Sequence, residues 1–166
     1  MKSIKTLVLL AGLGLSLFSC GSSSDQKNAE NVKLVEAYVK SVEAMDFDAM
    51  DSYLDENYLG VGPSYGDSIN KEGAMINWKL NVETLYEKIE YTKSRFAPVV
   101  IPDGSSKGEW VANWSEMNIT FKDGKSVTLW ANTNYKIANG KIIESLTLYN
   151  EADALRQMDY VFLPID

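Results

Sequence analysis

The side chains of this sequence that could move protons or attack a carbonyl are almost all carboxyls and phenols. There are 23 Asp and Glu and nine Tyr, against one Cys and no His. Without imidazole there is no Ser-His or Cys-His nucleophile pair, no imidazole metal ligand and no side chain that titrates near neutrality unperturbed. The acidic stretch Asp46, Asp48, Asp51, Asp55, Glu56 lacks the glycine and terminal glutamate of an EF-hand loop. It reads as a solvated helix face with a cap, so neither a metal nor a cofactor is expected. A formal charge of −7 argues against a nucleic-acid partner or an anionic lipid-headgroup surface.

The single cysteine has its own context. Lys2 and Lys5 precede an apolar run from Leu7 to Phe18, about 12 residues and too short to span a ~30 Å hydrocarbon core. The run ends in Leu17-Phe18-Ser19-Cys20-Gly21, which looks like a bacterial lipoprotein signal. That resemblance implies removal of residues 1–19, lipidation of Cys20 and a lipid-anchored protein of the cell envelope, periplasmic or at the cell surface. Residues 20–29 then read as a lipidated cysteine and flexible tether, 30–160 as one domain and 161–166 as a tail. The folded part would hold no thiol and no disulfide.

The elements that must position the chemistry follow from periodicity. Val35, Tyr38, Val39, Val42 and Met45 recur at helical spacing, Asp46 caps a second, shorter helix, and a third from about Asn70 to Leu85 carries Met75, Trp78 and Val82. Tyr58–Gly62 is a short strand before Pro63. Beyond Glu87 the period becomes two, in runs 87–101, 108–121, 125–137 and 141–149, and a last short helix follows near Glu151–Met158. Asp123-Gly124 and Asn139-Gly140 are dipeptides that favour two-residue hairpin turns. Helices followed by an antiparallel meander form an α+β pattern.

Two-residue turns would fix the register and sort the faces. They set Trp114 opposite Thr133, Glu116 opposite Ala131 and Glu144 opposite Tyr135. The face turned to the helices then carries Trp110, Trp114, Glu116, Leu129, Thr133, Tyr135, Glu144 and Leu148. Met117, Ile119, Phe121 and Trp130 fall on the opposite face, as a candidate homodimer surface or as scattered exposed residues. A bulge in either turn would exchange one strand's faces. Glu116 and Glu144 come out on the order of 16 Å apart, too far for paired-carboxylate hydrolysis. Glu144 alone is either a general base or a rim residue paired with Lys141 or Arg156. Tyr38 either donates to a ligand carbonyl or fills the core.

Three helices wrapped by a long curved meander resemble the nuclear-transport-factor-2-like superfamily, in particular its SnoaL-like and ketosteroid-isomerase-like members. The resemblance rests on Tyr38-Val39 through Met45-Asp46-Phe47-Asp48, the strand Trp130–Ile137 leading into Asn139-Gly140-Lys141-Ile142, and Leu155-Arg156-Gln157. It implies a cone with a pocket between sheet and helices, often dimeric through the outer sheet face. Isomerase chemistry in that family needs a carboxylate base and an oxyanion pair of a tyrosine and a neutral acid. Tyr38 matches the tyrosine, Thr133 stands where the acid would be, and the base position falls at Gly62. The family's Asp-His groupings are excluded by the lack of histidine. The Asp-Arg-Asp groupings would have to draw on Arg95 and Arg156.

The expectation is therefore a lipid-anchored SnoaL-like domain that binds a small apolar ligand or a protein partner without catalysis. Tyr38, Trp78, Trp114, Thr133, Tyr135 and Glu144 are its candidate ligand-contacting residues. The enzyme alternative is an isomerase, cyclase or dehydratase using Glu144 or Asp67 with Tyr38. The structural alternative is a dimeric envelope scaffold with a filled cone.

Overall fold

The computed structural model describes residues 23–163; the export segment and Cys20 lie outside them. Helix α1 (Ser23–Glu43) buries Val35, Tyr38, Val39 and Val42 on one face. Its first turns are tied to the sheet. Lys27 Nζ lies 2.6 Å from Glu109, and Asn31 Nδ2 donates to the same carboxylate at 3.0 Å. The helix begins at Ser23, inside the stretch assigned to the tether and close to Asp25, where the sequence pattern turns helical. Met45, in the left-handed region, turns the chain, and Asp46 accepts from Ala49 N to cap α2 (Phe47–Tyr53). β1 (Leu54–Val61) and the short β2 (Ser68–Asn70) follow. Asn70 caps α3 (Lys71–Thr84) through Gly73 N.

The meander is β3 (Tyr86–Ile101), β4 (Gly108–Phe121), β5 (Ser126–Ala138) and β6 (Lys141–Tyr149), with α4 (Glu151–Gln157) after it. The six strands run in the order β2-β1-β6-β5-β4-β3. β1 pairs with β6 in parallel, and every other pairing is antiparallel. The sheet is thus mixed rather than purely antiparallel, because β1 joins the meander's far edge. The architecture is α+β, a curved open sheet wrapped around the helices. No helix among the described residues is long and apolar enough to cross a membrane.

Register decides which side chains face inward, and it differs from expectation at two places. At Asp123-Gly124 the loop is three residues, not two. Gly124 N donates to Phe121 O and Phe121 N to Lys125 O, both at 2.9 Å, with Gly124 at φ +87°. This is a type I turn closed by a left-handed glycine, the commonest three-residue hairpin. Trp114 therefore opposes Asn132, and Glu116 opposes Trp130. The Asn139-Gly140 turn has two residues as expected, with φ +52° and +71°. One step further the pairing slips between Lys136 and Ile137, leaving Ile143 as the extra residue of a bulge, so Tyr135 opposes Ser145 instead of Glu144.

The faces of β4, and of β6 beyond the bulge, are consequently exchanged, while β5 keeps its expected face. Met117, Ile119 and Phe121, expected outside, turn inward; Trp114, Glu116, Glu144 and Leu148, expected inside, turn outward. Trp114 is 46% exposed and Glu116 pairs with Lys93 at 2.6 Å. Trp130 stays outside, 64% exposed. The core proper lies between α1, α2 and the sheet, where Val35, Val111 and Ile142 are fully buried, each worth about 1.5–3 kcal/mol of transfer free energy.

Candidate functional site

The interior is not filled. A cavity of about 430 Å³ opens between the inner sheet face, α1, α3 and α4, within the usual ~300–1,000 Å³ range of small-molecule sites. Period-2 alternation along β5 aims Leu129, Ala131, Thr133 and Tyr135 into it, the shifted β4 adds Met117 and Ile119, and the bulged β6 adds Ser145 and Thr147. Helical spacing on α1 brings Tyr38 to the inner end, and α3 brings Trp78 to one wall.

At the inner end the cavity is phenolic. The Tyr38 ring meets that of Tyr135 edge-to-face at 5.7 Å and that of Tyr53 at 6.4 Å. The Tyr58 hydroxyl and Ser145 Oγ are 2.6 Å apart, and the Thr133 and Thr147 hydroxyls 3.2 Å apart. Burial pushes the phenols of Tyr38, Tyr91 and Tyr135 well above their ordinary value; neighbouring phenols add to this at Tyr38 and Tyr135, and the Glu43 carboxylate, which accepts from Tyr91 N at 2.7 Å, adds to it at Tyr91. These tyrosines are neutral at physiological pH. The Tyr38 hydroxyl has no partner among the described residues, yet no buried side-chain polar atom there lacks one, so this hydroxyl opens onto the cavity.

Among the described residues no carboxylate hydrogen-bonds to Tyr38 or contributes to its raised pKa. Gly62, where the resemblance would put an isomerase's base, lines the cavity at φ +90°, and a Cβ there would overlap the Thr147 carbonyl oxygen. The backbone admits only glycine. Glu144, expected next to Tyr135, lies on the outer face, 4.0 Å from Lys136 Nζ. Asp67 sits exposed in the 62–67 bend, where its carbonyl accepts from Gly62 N, and does not line the cavity. Among the lining residues the sole ionisable carboxyl is Glu151, and there is no Lys or Arg. No group of three or more potential metal-ligating side chains gathers among the described residues.

Of the expected ligand-contacting residues, Tyr38, Trp78, Thr133 and Tyr135 line the cavity, while Trp114 and Glu144 do not. Sequence reasoning missed Tyr58, Tyr91, Ser145, Thr147 and Glu151. Tyr58 and Ser145 meet through the parallel β1–β6 pairing, which no local pattern announces. Glycine at Gly124 was a usable signal for the three-residue turn, and with it for the true face of β4.

No protein-family model matches the sequence, and no curated protein matches it. Solved structures do. A candidate polyketide cyclase from Xanthomonas campestris superposes with a TM-score of 0.66 at 14% identity, over 78% of this chain and 97% of the other. The fold is nuclear-transport-factor-2-like. An LEH-like epoxide hydrolase from M. tuberculosis gives a TM-score of 0.61 at 14% identity, over 79% of this chain and 90% of the other. A protein with a ketosteroid-isomerase-like fold from Catenulispora acidiphila, in complex with trimethylamine, gives 0.60 at 12% identity, over 79% and 97%. At such identities the nuclear-transport-factor-2-like likeness concerns the cone itself; the chemistry inside rests on the residues present here.

Proposed function

We propose that this chain binds a small organic molecule inside the cone and does not transform it. The observation that carries the reading is the cavity of about 430 Å³ in which Tyr38 presents a free hydroxyl and no carboxylate accompanies it. A neutral phenol can donate a hydrogen bond to a bound carbonyl or accept one. Without a base nearby it cannot take a proton from carbon. The isomerase, cyclase or dehydratase alternative requires Glu144 or Asp67 beside Tyr38, and neither lines the cavity. The filled-cone scaffold has the cavity against it. A protein of the same fold obtained with trimethylamine supports small-molecule binding as a use of this architecture.

The test uses 1-tetralone, an enolisable aromatic ketone, followed by proton NMR in D₂O. Saturable binding is expected, weakened by Tyr38→Phe by about two- to tenfold, the worth of one hydrogen bond. Deuterium exchange at the carbon beside the carbonyl should stay at the buffer rate. Exchange accelerated by the protein and lost in Tyr38→Phe would establish catalysis and end this reading.

We place the domain at the cell envelope through lipid on Cys20, supported by the charged start, the apolar run and the cysteine's position. Cys20→Ala should move the protein from the membrane to the soluble fraction; an unchanged distribution would remove the proposal.

A further inference from the structure

Resting on the reading that the cone holds a small molecule, we infer the sign of that molecule's charge: the cavity is built for a small alkylated ammonium ion, with Glu151 as its counter-ion at the mouth. The first support is the lining. It carries six tyrosines, Trp78 and Phe121, one carboxylate, and neither Lys nor Arg. Such rings present negative faces that attract a cation, most effectively an ammonium whose alkyl groups shed water easily.

The second support is arrangement. Tyr86 meets Trp78 at 6.4 Å and Phe121 at 5.7 Å between ring centres, with planes inclined at 60° and 61°. The three rings pack edge-to-face on one another and together form one aromatic wall of the cavity. Tyr149 and Glu151 line the same cavity as this trio; burial first, and then the charge of Glu151, raise the pKa of the Tyr149 phenol.

The third support is that Glu151 makes no salt bridge or side-chain hydrogen bond with any described residue, while the cations of the β4–β5 hairpin and of α4 have partners of their own. Lys122 donates to the Glu83 carbonyl at 2.8 Å, Lys125 faces Asp159 at 3.4 Å, and Arg156 lies over the Phe162 ring at 5.7 Å. A negative group at an aromatic mouth, on a chain of net charge −7, draws cations inward.

The experiment is calorimetric titration of the full chain with choline and with 3,3-dimethylbutan-1-ol, its uncharged isostere, alongside 1-tetralone. Choline should bind at least about tenfold tighter than the isostere and lose affinity as salt is raised. Glu151→Gln, at an exposed position that leaves the fold intact, should weaken choline several-fold and leave the isostere unchanged. Equal affinities, no choline binding, or indifference to Glu151→Gln would each overturn the inference. If 1-tetralone still binds in those cases, the cavity remains a binding site without charge preference; if nothing binds, the binding reading falls with it.

Discussion

Gly62 shows how a single residue can close off a chemistry. Its φ of +90° is a conformation that L side chains rarely adopt, and any Cβ would run into the Thr147 carbonyl. Placing a carboxylate here by Gly62→Asp is thus a structural injury before it is a functional gain. The substitution should lower stability by at least about 2 kcal/mol, read by urea denaturation, because left-handed strain of ~1–2 kcal/mol adds to the overlap with backbone. It should also fail to produce exchange of 1-tetralone protons. The sequence alone pointed to this position as a missing base, but not to the reason: the backbone conformation follows from how the 62–67 bend seats Gly62 N on the Asp67 carbonyl.

At the scale of elements, the helices and the long strands are visible in periodicity, and Asp46 caps α2 as its position predicts; Asn70, read as the first helical residue, is instead the cap of α3. What periodicity cannot carry is a one-residue offset between strands. Three residues rather than two at 122–124, and the extra Ile143, sent Trp114 and Glu144 outside and brought Met117 and Ile119 inside. The alternation within each strand was read correctly; its phase relative to the neighbour was not. The start of α1 offers a pH test. Lys27 first, and then Asn31, hold the Glu109 carboxyl below its ordinary value. A depressed carboxyl contributes stability above its unfolded pKa and loses it as pH falls through the folded one. Amide protection across residues 23–31, referred to the intrinsic exchange rate at each pH, should therefore fall below about pH 4 while that of the sheet persists. Glu109→Gln should reproduce part of that fraying at neutral pH, costing less than about 1 kcal/mol because the pair is partly solvated.

For the whole molecule, the outer sheet face is the surface that a second copy would cover. Trp114, Trp130 and Leu148 are 46%, 64% and 48% exposed there, with Lys93 5.7 Å from the centre of the Trp130 ring. Trp114 and Leu148 thus join Trp130 on this candidate homodimer surface in place of Met117, Ile119 and Phe121, which turn inward. Sedimentation velocity should find a dimer that Trp130→Glu converts to monomer; a monomeric parent would dispose of the idea. The parallel seam has a different consequence, one of timing. β1 is synthesised early, but apart from three-residue β2 its partner is β6, some eighty positions later. Until that last strand has emerged, the first strand's long edge has nothing to zip against and Tyr58 has no Ser145. Contacts so distant along the chain make closure slow, so a partly folded chain whose final strand has not yet docked would expose an open trough where the finished protein has a chamber.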